Sequence, residues 1–181
     1  MFLFSMGITK GKWGTLLNTL LNFKRLYEAD APVAEVFPEL AAAYPEHYGK
    51  DGVRTLSDRM FRYIREKTPE AMLDRAFGEL PRQKLTPREA YRHIVTGNVE
   101  LVELVPSHKL EGRVSANSVI PYPPGIPMMM SGEVFGDGTC PQIAYLKQLE
   151  TWDAEFPGFE HVTEGAETID GVYHVMCVKE G

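Results

Sequence analysis

The stretch "SVIPYPPGIPMMMSGE", Ser118–Glu133, holds four prolines and two glycines between the start of a strand and a run of three methionines. Proline fixes φ and removes a backbone donor, so this segment cannot be a central strand. A residue before a proline is pushed to extended geometry, which applies to Tyr122 and Pro123. The pattern predicts a rigid elbow that points Tyr122 in a defined direction, which suits contact with a ligand or a partner. A buried turn with Tyr122 as packing is the other interpretation.

Strand signals surround this elbow. The segments "VELVELV" and "RVSANSVI" precede it, "IPMMM" lies within it, and "FEHVTEG" and "GVYHVMCVK" close the chain. We expect the last two to form a β-hairpin with a polar turn around Asp170 and Gly171. One helix interrupts the strands in "PQIAYLKQLETWDAEF". Its apolar positions are Ile143, Leu146, Leu149 and Trp152.

The first half of the chain is dominated by helical patterns. Residues 11–30 have apolar side chains at helical steps, and residues 55–67 repeat this pattern. Pro32 and Pro38 bound a linker-like piece between them. The opening segment "FLFS" indicates a short buried strand that starts abruptly, so we expect the sequence to be cut from a longer protein.

Two further predicted helices have residues typical of helix starts and helix ends. In "TPEAMLDRAFGEL", Thr68 is the expected N-cap, Pro69 takes the first helical position and Gly78 lies near the stop. In "TPREAYRHIVTGN", a capping box is expected between Thr86 and Glu89, with Pro87 in the first turn and Gly97 after the last. Helices first and a strand-rich second half predict an α+β fold, with a small mixed or antiparallel sheet and packed helices in the second half.

Charge and cysteine content narrow the classes of function. The 181 residues carry a net charge of −6, which argues against a nucleic-acid partner. From Ser131 onward, ten acids face only two bases, whereas residues 1–30 have a balance of +2. Cys140 and Cys177 form no disulfide framework, so we expect a reduced, cytoplasmic setting. No stretch has transmembrane length, and we expect no membrane association.

The sequence departs from the common catalytic and metal-binding motifs. Gly7 to Lys12 is one residue too short for a phosphate-binding loop, and Trp13 stands where Ser or Thr is needed. The five histidines show no i, i+4 pairing, so we expect no metal site. Cys140 lies before a predicted helix whose dipole favours a thiolate, but no histidine is tied to it by a motif. A small independent enzyme using Cys140 or Ser107-His108-Lys109 is therefore a minor hypothesis.

Several longer stretches resemble the C-terminal part of the bacterial ornithine/lysine/arginine decarboxylases. They are "FLFSMGITKGKWGTLLNTLLNFKRLYEADAPVAEVFPEL", "LTPREAYRHIV", "GRVSANSVIPYPPGIPMMMSGE", "FPGFEH" and "IDGVYHVMCVK". The resemblance covers essentially the whole chain. The first and last stretches favour the biodegradative, acid-induced arginine branch over the lysine branch.

The resemblance implies a fold-type I enzyme that depends on pyridoxal phosphate (PLP) and removes carbon dioxide from an amino acid. The family binds PLP through a lysine in a Ser-x-His-Lys motif, which this chain lacks. Ser107-His108-Lys109 misses the intervening residue and lies before "EGRVSAN", so we treat it as chance. No catalytic residue is therefore expected in this chain, and PLP is expected to bind to a catalytic domain outside it.

The resemblance also implies a domain division and a site. Residues 1–31 correspond to the tail of the aminotransferase-like small domain, and residues 32–181 to the C-terminal domain, which covers the active-site entrance. Tyr122, Pro123, Pro124 and Gly125 match the family's Tyr-Pro-Pro-Gly position beside the substrate pocket. Glu133, eleven residues after Tyr122, suits a channel for a cationic guanidinium.

The implied function is that of an arginine decarboxylase, which forms agmatine and consumes a proton in acid resistance. The expected partners are arginine, the catalytic domain of the same enzyme, and further copies that assemble from dimers into decamers. We expect this chain to be inactive alone. The alternative is a stand-alone interaction module that docks on a separate catalytic chain and serves assembly.

Overall fold

The structure is a computed structural model that describes residues 9–67, 70–96, 101–137 and 140–179. It divides into two compact units, Met1–Tyr63 and Ile64–Gly181. This division does not test the expected domain boundary between residues 31 and 32, which stays a prediction. The predicted "FLFS" strand, Gly7, and the expected helix-end residues Thr68, Pro69 and Gly97 lie outside the described residues.

The first unit is helical. Its helices are α1 (Lys10–Glu28), α2 (Val33–Val36), α3 (Pro38–Ala43), α4 (Pro45–Tyr48) and the beginning of α5 (Val53–Lys67). The segment predicted as linker-like is therefore built from short helices. They bury Val33 and Tyr48 completely, together with much of Val53 and Leu56. The apolar spacing of residues 11–30 and 55–67 correctly predicted α1 and α5.

A side-chain cap fixes the start of α5. The carboxylate of Asp30 accepts hydrogen bonds from the backbone nitrogens of Arg54 and Thr55, at 2.9 and 3.0 Å, and from the Thr55 hydroxyl at 2.7 Å. These bonds, the Thr55 hydroxyl first, hold the pKa of Asp30 below its usual value. The carboxylate thus satisfies donors that the first turn of a helix leaves unpaired.

The second unit mixes helices with short strands. In chain order these are α6 (Glu70–Gly78), β1 (Arg82–Gln83), α7 (Pro87–Val95), β2 (Val102–Pro106), β3 (Val114–Ser115), β4 (Ile120–Tyr122), β5 (Glu133–Val134), α8 (Pro141–Glu155), β6 (Val162–Glu164), β7 (Ala166–Ile169) and β8 (Val172–Val178). A single 3-10 turn, Ser107–Lys109, follows β2. The predicted capping box of α7 is present between Thr86 and Glu89. The α+β prediction is confirmed.

Every described strand pair is antiparallel. The main sheet has the order β1-β5-β3-β8-β2, and β7 also pairs with β8. The long strand β8 pairs with β2 along Val102–Pro106 and with β7 through a hairpin. The hairpin turns at Asp170 and Gly171, whose φ angles are 51° and 77°. Two positive φ values match the right-handed twist of the flanking strands, and Asp-Gly is the sequence typical of such a turn.

The core of the second unit lies between α8 and one face of this sheet. Ile143, Leu146 and Leu149 on α8 are buried together with Val175 and Cys177 on β8. Residues alternate on β8 between buried and half-buried, as expected for a strand with one face on a core. Burial raises the pKa of the Cys177 thiol to about 12, which makes it an inert core residue.

The strands β4 and β6 form a separate two-stranded ribbon. The sequence predicted that the segment around Val162 pairs with the last strand; instead β7 takes that place, and β6 pairs with β4. The predicted "IPMMM" strand is reduced to one bridge between Val119 and Met129, because Pro127 and the preceding turn interrupt it. None of the described helices combines the length and hydropathy needed to cross a bilayer.

Candidate functional site

Tyr122 ends β4, and its position is set by pairing with a distant strand. Tyr122 lies opposite Val162, and Ile120 lies opposite Glu164. Pro121 occupies the middle of β4, which is possible because a two-stranded ribbon has only edge strands. The start of the segment is also fixed, since the Val119 nitrogen donates to the Met129 carbonyl and the Met128 nitrogen donates to the Val119 carbonyl, both at 2.9 Å.

The elbow after Tyr122 is a closed turn. The backbone nitrogen of Gly125 donates to the Pro121 carbonyl at 2.8 Å. The peptide bonds before Pro123 and Pro124 are both cis, and both prolines are exposed. Gly125 has φ +77°, and a Cβ atom there would lie 2.7 Å from Cε1 of Tyr122. Glycine is therefore required twice, for its backbone conformation and for the space that the tyrosine ring occupies.

The Tyr122 side chain is partly exposed, at 46%. Its hydroxyl donates a long hydrogen bond, 3.4 Å, to Oε2 of Glu164. Val162, paired with Tyr122, is 69% exposed. The surface of the ribbon therefore presents a phenol ring, a branched apolar side chain and a carboxylate side by side. We call these three residues, Tyr122, Val162 and Glu164, the ribbon site.

Glu133 has a local role in this structure. It is half-buried at the start of β5, and its Oε2 accepts a hydrogen bond from the backbone nitrogen of Met130 at 2.7 Å. Its own backbone nitrogen donates to the Met130 carbonyl at 3.1 Å. The carboxylate thus closes the loop that follows the methionine run. Its expected role as a channel charge stays a prediction.

Sequence reasoning placed Tyr122, Pro123, Pro124 and Gly125 in one site, and the structure holds them together on one turn. It missed Glu164, which lies 42 residues after Tyr122. An exposed acid next to a polar turn carries no signal of its own. Only the expectation that β6 pairs with β4 would have found it.

A cavity with a volume of about 520 Å³ lies elsewhere in the second unit. Its polar lining includes Arg75, Glu79, Arg82 and Gln142. Arg75 and Glu79 form an ion pair at 2.5 Å, whose hydrogen bond holds the pKa of Glu79 below its usual value. The cavity lining includes Cys140 but none of Tyr122, Pro123, Pro124, Gly125 and Glu133.

The two candidate nucleophiles proposed from the sequence, Cys140 and Ser107, are both buried. Cys140 is 6% exposed, and its thiol donates to Oε1 of Gln142 at 3.1 Å. In the 3-10 turn, Ser107 is buried whereas His108 and Lys109 are exposed. Within the described residues, no cluster of three or more His, Cys, Asp and Glu side chains is suited to hold a metal ion.

Comparison with known proteins identifies the family. The sequence profile described as "Orn/Lys/Arg decarboxylase, C-terminal domain" matches residues 70–179. This chain belongs to that decarboxylase family. The biodegradative arginine decarboxylase of Escherichia coli (strain K12) is 59% identical over 179 residues, which are 99% of this chain and 23% of that protein. A lysine decarboxylase of Pseudomonas aeruginosa is 43% identical over 182 residues, which are 98% of this chain and 24% of that protein.

Solved decarboxylase structures share the fold. The constitutive lysine decarboxylase of E. coli matches with a TM-score of 0.87 and 36% identity, over 98% of this chain and 25% of that one. Lysine decarboxylase A of P. aeruginosa matches with a TM-score of 0.85 and 42% identity, over 98% of this chain and 24% of that one. The resemblance read from the sequence is confirmed. The chain spans about a quarter of the length of its decarboxylase relatives.

Proposed function

We propose that this chain is the C-terminal domain of an arginine decarboxylase that forms agmatine and carbon dioxide. The observation that carries this is the 59% identity to the biodegradative arginine decarboxylase along nearly the whole chain. The identity falls to 43% for a lysine enzyme and 32% for an ornithine enzyme. The comparisons do not favour the alternative of a stand-alone assembly module.

The cofactor of the whole protein is proposed to be PLP, bound outside this chain. The cavity of about 520 Å³ has no lysine in its lining, which supports this placement. Lys109, the lysine nearest to the family motif, is exposed on a turn. When bound in the catalytic part, PLP supplies the electron sink for loss of carbon dioxide. This chain therefore contributes no covalent step, and we expect it to be inactive alone.

The ribbon site is proposed to contact the substrate side chain at the active-site entrance. Arginine has an aliphatic stem that ends in a cationic guanidinium. The Tyr122 ring and Val162 offer an apolar surface for the stem, and the Glu164 carboxylate is a partner for the cation. Pro123, Pro124 and Gly125 hold the ring in this direction, and Glu133 fixes the following loop.

The acidic second half is proposed to serve assembly. The balance of −8 from Ser131 onward repels neighbouring subunits at neutral pH and weakens as carboxylates are protonated. This behaviour suits an enzyme that assembles from dimers into decamers in acid, within the cytoplasm. The charge excess lies in the unit that carries the ribbon site.

The proposed function is tested by assaying this chain alone and, for comparison, the longer polypeptide that carries it. PLP is added to the purified chain, its visible absorbance is recorded for a lysine-bound band, and carbon dioxide is measured from labelled arginine, lysine and ornithine. We expect neither a band nor release. The longer polypeptide that carries this chain should release carbon dioxide from arginine in preference to lysine. Turnover by the chain alone, with Lys109 as the first candidate lysine, would overturn the assignment.

A further inference from the structure

The ribbon of β4 and β6 needs an anchor to the rest of the second unit. A two-stranded ribbon is at best marginally stable alone, and this one shares no strand pairing with the main sheet. One end is fixed at Gly165, whose carbonyl accepts a hydrogen bond from Nδ2 of Asn117 at 3.0 Å. The other end, at Val162, follows directly after His161 in the chain.

His161 is held by a carboxylate on α8. Oδ1 of Asp153 accepts a hydrogen bond from the His161 backbone nitrogen at 2.9 Å and lies 3.1 Å from its ring Nδ1. An ionised carboxylate only accepts, so Nδ1 carries the proton in this contact. Oδ2 of Asp153 accepts from the Tyr173 hydroxyl at 2.8 Å. Hydrogen bonds to a charged acceptor are about twice as strong as neutral ones.

The Asp153 carboxylate is attached to rigid elements on both sides. Its helix α8 is buried against the sheet through Leu146 and Leu149, and Tyr173 on β8 is 2% exposed. The side chains of Asp153 and His161 are themselves mostly buried, at 16% and 20% exposure. Because His161 is bound to these rigid elements, its position relative to the core is fixed, and so is the start of β6.

We propose that Asp153 is a positioning residue for the ribbon site: by holding His161 it fixes β6, and through β6 the directions of Tyr122 and Glu164. The chain of contacts is continuous. Asp153 binds His161, Val162 is the next residue and pairs with Tyr122, and Glu164 accepts the Tyr122 hydroxyl. The kinetic consequence of this anchor rests on the proposed function of the ribbon site; the anchor itself does not.

Hydrogen exchange of the full chain tests the anchor without any assay of activity. In Asp153→Ala we expect the amides of Ile120, Tyr122 and residues 162–164 to exchange at least about tenfold faster, because bonds to a charged acceptor are lost. The amides of β2 and β8 should accelerate less, by no more than the loss of global stability. Glu150→Ala is the matched control, since Glu150 also lies on α8 and accepts a backbone hydrogen bond, from Tyr173 at 2.8 Å. It should leave the ribbon protected.

Substitutions of His161 separate the hydrogen bond from ring packing, since the ring also lies 5.6 Å from Trp152. Asparagine places an N–H donor near the position of Nδ1, whereas glutamine places it near Nε2. We expect His161→Asn to keep most of the ribbon's protection and His161→Gln to lose it. Equal protection in both variants, or faster exchange spread evenly over the whole unit in Asp153→Ala, would overturn the proposal.

The same variants in the longer decarboxylase connect the anchor to catalysis. We expect His161→Gln to raise KM for arginine several-fold with a smaller change in kcat. His161→Asn should have a KM close to that of the wild type. Local loss of protection with unchanged kinetics supports the anchor and counts against a substrate role for the ribbon site. The anchor by Asp153 and the substrate role of the ribbon site are therefore contradicted by different results.

Discussion

The ring of Tyr122 lies directly over Gly125, where a Cβ atom would approach Cε1 of the ring to 2.7 Å. The turn between the two residues is closed by the hydrogen bond from the Gly125 nitrogen to the Pro121 carbonyl. The tyrosine ring thus packs on its own turn and still exposes 46% of the residue. Orientation of the ring is consequently built into five consecutive residues.

Gly125→Ala should disturb Tyr122 beyond the cost of a left-handed alanine. That backbone cost is about 1–2 kcal/mol, and the added methyl group must also push the ring aside. Gly171→Ala is the matched control, because Gly171 has the same φ of +77° and open space where a Cβ atom would be. We expect Gly125→Ala to lose at least as much stability in urea unfolding as Gly171→Ala and, in the longer decarboxylase, to raise KM for arginine as well. Equal KM values for the two variants would contradict this expectation.

Removal of the Tyr122 side chain should weaken arginine binding while PLP stays bound. In the longer decarboxylase, we expect Tyr122→Ala to raise KM by about tenfold, as for the loss of one or two substrate contacts. Tyr122→Phe should have a smaller effect, because the hydroxyl bond to Glu164 is long. Tyr91→Ala, at another exposed tyrosine, is the control. Unchanged kinetics with a lowered Tm would show that Tyr122 serves only packing.

Thr86→Ala should destabilise the second unit by about 1 kcal/mol through loss of the N-cap. The Thr86 hydroxyl accepts from the Glu89 nitrogen at 3.3 Å, and Oε2 of Glu89 accepts from the Thr86 nitrogen at 2.8 Å. Thr151→Ala, at an exposed threonine within α8, is the control and should change stability by less than about 0.5 kcal/mol. Urea unfolding measures both. Equal effects would mean that the cap is dispensable.

The contribution of Asp153 to stability should disappear in strong acid. Burial raises the pKa of this carboxyl, but the hydrogen bonds from His161 and Tyr173 outweigh burial and hold the pKa below its usual 3.8. A group with a lowered pKa stabilises the fold above its unfolded pKa, and this stability is lost as pH falls through the folded value. We therefore expect wild type to exceed Asp153→Asn in free energy of unfolding at pH 5, and the difference to shrink near pH 3. A difference in free energy of unfolding between wild type and Asp153→Asn that grows toward pH 3 would contradict this prediction.

Much of the local structure was predictable from short-range signals. The capping box at Thr86 and Glu89, the Asp170-Gly171 turn and the amphipathic helices depend on residues within a few positions of one another, and all are present. The closed turn at Tyr122 follows from the same kind of signal, because the prolines restrict the backbone wherever the chain lies. The family, too, was readable from the quoted stretches.

Strand partners were less predictable. The sequence suggested that the segment around Val162 pairs with the last strand, but β7 occupies that position and β6 pairs with β4. Both arrangements satisfy the same alternation of apolar and polar residues. Periodicity assigns a residue to a face of a strand but does not select the partner strand.

The sequence by itself determined the family, the α+β class and the rigid elbow that carries Tyr122, since each depends on residue types in fixed local order. Only the tertiary structure decided which carboxylates meet that elbow. Glu133, nearer in sequence, closes its own loop, whereas Glu164 reaches Tyr122 across the ribbon and Asp153 holds the ribbon through His161. The physical reason is that strand pairing and helix packing join residues tens of positions apart, and such contacts depend on the whole core rather than on local conformational preference.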